Sequence, residues 1–171
     1  MPLRCACSML LVLISAMLCQ CSSGSSRWEY DFVPGKTAVI IRGKAVPPAN
    51  APPAVLRAIS AGNRICMKPY RRGGGHARFE DSAYDCSGTV SYILHAAGKL
   101  DAPSTSSGLR SFGRRGHGRW ITVYARKGHV FCEIAGLRFD TGYNDHDSEG
   151  PRWTDRPRPI KGYSVRHPAG L

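Results

Sequence analysis

Apolar residues gather first between Ser8 and Leu18, a run preceded by Arg4 and too short to cross a bilayer as a mature helix. It reads as a signal peptide over residues 1–20. Farther on, Thr37 to Ile41 is apolar enough for a strand, and the Pro-rich stretch from Val46 to Pro53 breaks regular structure. Pro53 suits the first turn of a helix, whose apolar face is supplied by Val55, Leu56 and Ile59 and which runs to about Ile65. Gly73 to Gly75 forces a loop. Asp85 is then a good N-cap for a second helix with Cys86, Val90, Ile93, Leu94 and Ala97 at helical spacing, stopped by Gly98 and Pro103. Trp120 to Ala125 and His129 to Ala135 read as two strands joined by Arg126-Lys-Gly128, and Gly136 turns the chain into a third, Leu137 to Asp140. Beyond Gly142 the pattern is rich in turns. Strand, two helices and an antiparallel meander make an α+β arrangement.

With 171 residues and 42% apolar composition, the chain suffices for one compact domain after a leader. The formal charge is +12, and Arg4 is the leader's only charged residue, so the remainder stays strongly basic. That balance favours polyanionic surroundings: nucleic acid, an anionic membrane surface, or a cell envelope rich in phosphate and carboxylate. The basic residues are scattered, and zinc-finger spacing and RNA-binding sheet motifs are absent, so nucleic acid is not the expected partner.

Seven cysteines divide unevenly. Cys5, Cys7, Cys19 and Cys21 lie in or just after the leader, and Cys66, Cys86 and Cys132 lie in the folded part. An odd number in an oxidising compartment points to a free reactive thiol, with pairing of Cys66 and Cys132 left open. Leu18-Cys-Gln-Cys21 resembles the lipobox of bacterial lipoproteins, which makes Cys21 the lipid anchor and Ser22 to Ser26 its flexible tether.

A cysteine at a helix start sits where backbone N–H groups and the helix dipole stabilise an anion, which singles out Cys86 as a nucleophile. Its base must be distant in sequence and near in space; His129, opening a strand, is so placed, ahead of His76, His95, His117, His146 and His167. Asp140, eleven residues on and across a hairpin, can share a face with His129 and orient it.

Together, Pro69-Tyr-Arg-Arg-Gly-Gly-Gly75, Tyr84-Asp-Cys-Ser-Gly88, Gly128-His-Val130 and Arg138-Phe-Asp140 resemble the NlpC-type family of cell-wall cysteine peptidases. The resemblance implies a papain-like fold with an antiparallel central sheet and the nucleophile Cys86 at the start of a packed helix. It further implies His129 as base, Asp140 as third residue, and Tyr70 assisting at the oxyanion. Asp85, Ser87, Arg72 and Arg110 are expected to contact substrate, within a cleft lined by the loops Gly73 to Ala83 and Ser104 to Gly118. Arg72 stands where the family often has an aromatic, and Asp140 where it commonly has histidine.

The implied substrate is the peptide stem of peptidoglycan, at the bond between D-glutamate and diaminopimelate. No metal or organic cofactor is expected. An amidase cutting between N-acetylmuramic acid and L-alanine, or a non-catalytic peptidoglycan-binding lipoprotein, are the other readings. The expected organisation is a signal peptide (1–20), a lipid-anchored tether and Pro-rich linker with one strand (21–53), and the peptidase domain (54–171). The expected location is the bacterial cell envelope, anchored by lipid to a membrane and facing the periplasm or exterior. Asp145, Asp147 and Glu149 faintly resemble a calcium loop, but Arg156 stands where a closing glutamate is needed, so a solvated turn is expected.

Overall fold

A computed structural model describes residues 26–143 and 149–171. The proposed signal peptide, the Cys21 anchor, Asn144, Asp145, His146 and Asp147 lie outside the described residues. In chain order the elements are β1 (Arg27–Trp28), β2 (Val39–Ile41), β3 (Lys44–Val46), α1 (Pro53–Ile65), α2 (Cys86–Ala96) and α3 (Ser106–Leu109). They are followed by β4 (Arg114–Arg115), β5 (Ile121–Arg126), β6 (His129–Ile134), β7 (Leu137–Asp140), β8 (Arg152–Thr154), β9 (Arg158–Pro159) and β10 (Ser164–His167). The fold is α+β. Six strands form one sheet in the order β4-β10-β5-β6-β7-β8, with every pairing antiparallel.

Alternation along the strands decides which face packs where. Val123, Val130, Cys132, Ile134, Leu137 and Phe139 turn to one side and close a core with Val55, Ile59, Ile65, Val90, Ile93 and Leu94 of α1 and α2. On the opposite face, Tyr124 and Phe131 stack at 4.7 Å and are covered by Trp28. α1 begins with proline at its first turn, where the missing N–H costs nothing, and it has the bounds expected from its apolar spacing. α2 is capped by Asp85, whose side chain accepts from the Gly88 amide at 2.7 Å.

Two differences from the expected organisation bear on the site. From Ser26 onward the chain is packed onto the domain rather than standing off as a tether: Trp28 is buried, donates to Glu133 at 3.1 Å, and its strand β1 pairs with β9. The Pro-rich segment is held too, because Asn63 of α1 clamps both the N–H and C=O of Ala45 and accepts from Trp153. The second difference is the segment after Gly142, which is not all turns. It supplies β8, β9 and β10, and β10 enters the main sheet beside β5.

Candidate active site

The start of α2 is built by two close approaches. Gly88 lies so near Gly74 that a Cβ would strike the Gly74 carbonyl, and Gly75, at φ +79°, has no room for a side chain beside the Tyr84 ring. Asp85 then joins loop to helix. One of its oxygens accepts from Gly73 N at 2.9 Å and the other from Gly88 N at 2.7 Å and Ser87 Oγ at 3.1 Å. His76 Nε2 lies 3.0 Å from the same Asp85 oxygen and 3.1 Å from Ser87 Oγ. Asp85 and Ser87, expected at the substrate, are thus buried in the network that fixes the helix start.

This framework sets Cys86 as the first residue of α2, 8% exposed and free. Asp85 takes up the Gly88 amide with its side chain and the Thr89 amide with its carbonyl, so the Cys86 and Ser87 amides are the helix-start donors not used in capping. Tyr70 is aligned by a parallel bridge to Tyr84, two residues before Cys86. Arg72 and Arg110 are exposed and bond to none of Cys86, His129 or Asp140. Arg114 and Arg115 lie on the sheet edge, with β10 and β5 between them and β6.

His129 opens β6 and Asp140 closes β7. The register pairs Cys132 with Phe139, so Asp140 falls diagonally from His129 on the same face, and its Oδ1 lies 2.9 Å from His129 Nε2. The Cys86 side chain interacts with the same imidazole. A thiol, an imidazole and a carboxylate therefore stand in one row, brought together from α2, β6 and β7.

Burial would push the His129 imidazole toward neutrality. Its hydrogen bond with Asp140, its interaction with the Cys86 side chain and the Asp140 charge outweigh that and raise its pKa to about 10. Burial acts oppositely on Asp140, yet the bond and charge of His129 and the charges of Arg158 and Arg138 hold its carboxyl below the ordinary carboxylate value.

The two arginines were not anticipated as parts of the site. Asp140 Oδ2 lies 3.1 Å from Arg158 Nη1 and 3.5 Å from Arg138 Nη1, and Arg158 also donates to the Gly142 carbonyl at 2.6 Å. Gly142 N in turn donates to Asp140 Oδ1 at 2.9 Å. Arg138 was open to discovery, since it alternates with Asp140 and must share its face. Arg158 carries no such signal, because it arrives from β9 by topology alone. Tyr163 completes the surroundings, its ring edge-on to His129 at 6.5 Å.

Several solved structures are similar to this chain. One is Rv1477, a hypothetical invasion protein of Mycobacterium tuberculosis, at 19% identity over 77% of this chain and 72% of that one, with a TM-score of 0.48. Others are structures of the resuscitation promoting factor interacting protein RipA. A form mutated at a histidine gives the same identity, coverage and TM-score, and a form mutated at a cysteine gives 19% identity and a TM-score of 0.47. No family model matches the chain, and no curated protein does.

Cys132 sits on the opposite face of β6 from His129, in the apolar core, as its strand parity requires. Cys66 is buried at the end of α1; its thiol and that of Cys132 are free. Burial pushes both thiols up, which leaves them as protonated, weak nucleophiles.

Proposed function

We propose that the chain is an NlpC-type cysteine peptidase that hydrolyses amide bonds in the peptide stems of peptidoglycan, between D-glutamate and diaminopimelate. The observation that carries this reading is the row Cys86, His129, Asp140, in which a helix-start thiol interacts with an imidazole whose Nε2 is held at 2.9 Å by a buried carboxylate. The Asp-Cys-Ser-Gly sequence and its glycine packing support it independently.

In the reaction, the Cys86 thiolate attacks the amide carbonyl carbon and the carbonyl oxygen becomes an oxyanion facing the Cys86 and Ser87 amides. The His129 imidazolium gives its proton to the departing amine as the C–N bond breaks, leaving a thioester on Cys86. A water, deprotonated by the now neutral His129, then attacks the thioester; the acid leaves and the Cys86–His129 pair is restored. Asp140 keeps the ring oriented and its cationic form stabilised throughout. Tyr70 stands beside the helix start as a further oxyanion donor.

A basic lipoprotein held by Cys21 in the bacterial envelope, facing the periplasm or exterior, has this substrate at hand. Incubation of the purified protein with defined muropeptides, with products weighed by mass spectrometry, tests the reading. Cleavage between D-glutamate and diaminopimelate is expected. Release of L-alanyl peptide from N-acetylmuramic acid would make the protein an amidase, and retention of intact muropeptide without cleavage would make it a binding protein.

A further inference from the structure

Resting on that reading, we propose that the cavity formed by Arg126, Arg158, Lys161 and Tyr163 is the leaving-group subsite, and that it selects a free carboxylate on the amino acid whose nitrogen departs. The cavity measures about 290 Å³ and is completed by Pro159; no acidic side chain lines it. Ligand pockets begin at roughly 300 Å³, so this one suits the head of a single amino acid rather than a whole stem peptide.

Three of its walls touch the catalytic row. Arg126 is the cross-strand partner of His129, Tyr163 packs edge-on to the His129 ring, and Arg158 holds Asp140 at 3.1 Å. Arg158 has its charge matched by Asp140. Arg126 and Lys161 are exposed and ion-paired with nothing among the described residues; Arg126 lies 5.2 Å over the Tyr163 ring, which holds it at the cavity. An anion entering there would meet two uncompensated cations against a partly apolar wall, where charge-assisted hydrogen bonds are strong.

The chemistry fixes which half of the substrate arrives. His129 protonates the departing amine, so the leaving half lies on the histidine side of the thiol and the acyl half on the α2 side. In a D-glutamyl-diaminopimelate bond the leaving half is a diamino acid with a carboxylate of its own. In an amidase the leaving half begins with alanine, whose carboxyl is spent in the next peptide bond. A cationic cavity beside His129 therefore fits the endopeptidase bond and not the amidase bond.

The test titrates the full chain with meso-diaminopimelate and with its diamide, followed by calorimetry, and repeats it on Arg126→Gln and Lys161→Gln. Expected is binding of the acid, weakened by added salt, with the diamide at least about ten-fold weaker, and each variant weakening the acid by about ten-fold. Equal binding of acid and diamide, or variants that bind the acid like the unaltered chain, would overturn the subsite. Cleavage is measured in parallel on muropeptides with free or amidated diaminopimelate, where the variants should raise KM for the free form and leave kcat nearly unchanged. Normal cleavage with probe binding indifferent to Arg126 and Lys161 removes the subsite and leaves the peptidase standing. Charge-selective, variant-sensitive probe binding without cleavage leaves a carboxylate site at the cavity but removes the peptidase, and the leaving-group role falls with it.

Discussion

Strands β6 and β7 carry two different chemistries on their two faces. Toward the helices go Val130, Cys132, Ile134, Leu137 and Phe139; toward the other side go His129, Arg138 and Asp140, and all eight are 1% exposed or less. Burial of the first set is favourable at about 25 cal/mol per Å² of apolar surface removed from water. Burial of the second removes three charged groups from water, and their mutual attraction roughly offsets that cost rather than exceeding it. The helix face therefore holds the fold together, while the opposite face fixes a geometry. If that division is right, substitutions on the two faces separate activity from stability.

The largest effect belongs to Cys86, which joins the two faces from the end of α2. Cys86→Ala is expected to lower hydrolysis by at least about a thousand-fold, because the proposed mechanism makes its thiol the nucleophile. The melting temperature should stay within a few degrees, since only a single sulfur at the edge of the core is removed. Turnover surviving in that variant, measured by muropeptide release, would place the chemistry elsewhere.

Asp140 comes next and sharpens the contrast, because it acts on both quantities. Asp140→Ala removes the group that orients His129, with an expected loss in turnover of roughly 10²- to 10⁴-fold. It also strands Arg138 and Arg158, which is expected to cost about 3–5 kcal/mol. Asp140→Asn keeps the shape and should fold better while remaining slow, so the rate is judged on that variant. Turnover in Asp140→Asn equal to that of the unaltered chain, with loss in His146→Ala instead, would hand the orienting role to His146.

The third difference is in pH. His129 has its pKa raised from 6.5 to about 10, so its contribution to stability is complete below 6.5 and fades as pH climbs toward 10. Asp140 is lowered from 3.8, so its contribution is complete above that value and fades as pH falls below it. Urea unfolding should thus show a plateau between about pH 4 and 6.5 with decline on both sides. Below about pH 9 the Cys66 and Cys132 thiols stay protonated in both states and the apolar face adds nothing, so within that range Asp140→Asn should flatten the profile. A profile unchanged in that variant would mean that other groups set the pH dependence.

Most of the proposed catalytic row is legible in the amino-acid pattern. Asp85 before an apolar helical repeat marks the start of α2, and period-two alternation fixes His129 and Asp140 to one face with Cys132 on the other. Illegible were the elements whose signal is not periodic. β8, β9 and β10 are three, two and four residues long and rich in Arg and Pro, so they show no alternation, and β9 brings Arg158 to Asp140 only through pairing with β1. The segment from Val46 to Pro53 looked like a linker because prolines exclude helix and strand; that exclusion is local and says nothing about whether Asn63 will clamp the chain beside it.

The smallest effect is expected on the helix face, at Cys132. This thiol is wholly inaccessible and packs in the apolar core, on the same strand as His129 but turned away from it. Cys132→Ala removes one sulfur from a close-packed layer, and a small buried group of this kind is worth about 1 kcal/mol once the cavity left behind is included. Because β6 keeps its pairing with β5 and β7, His129 and Asp140 keep their register, and turnover should be unchanged at temperatures where the variant is folded. Alkylation provides the companion measurement. In the folded unaltered chain Cys86 should react with iodoacetamide well ahead of Cys66 and Cys132, and unfolding in urea should bring all three to similar rates. A loss of turnover in Cys132→Ala beyond its loss of folded protein would mean that the apolar face also positions the catalytic row, and the division between the two faces would fall.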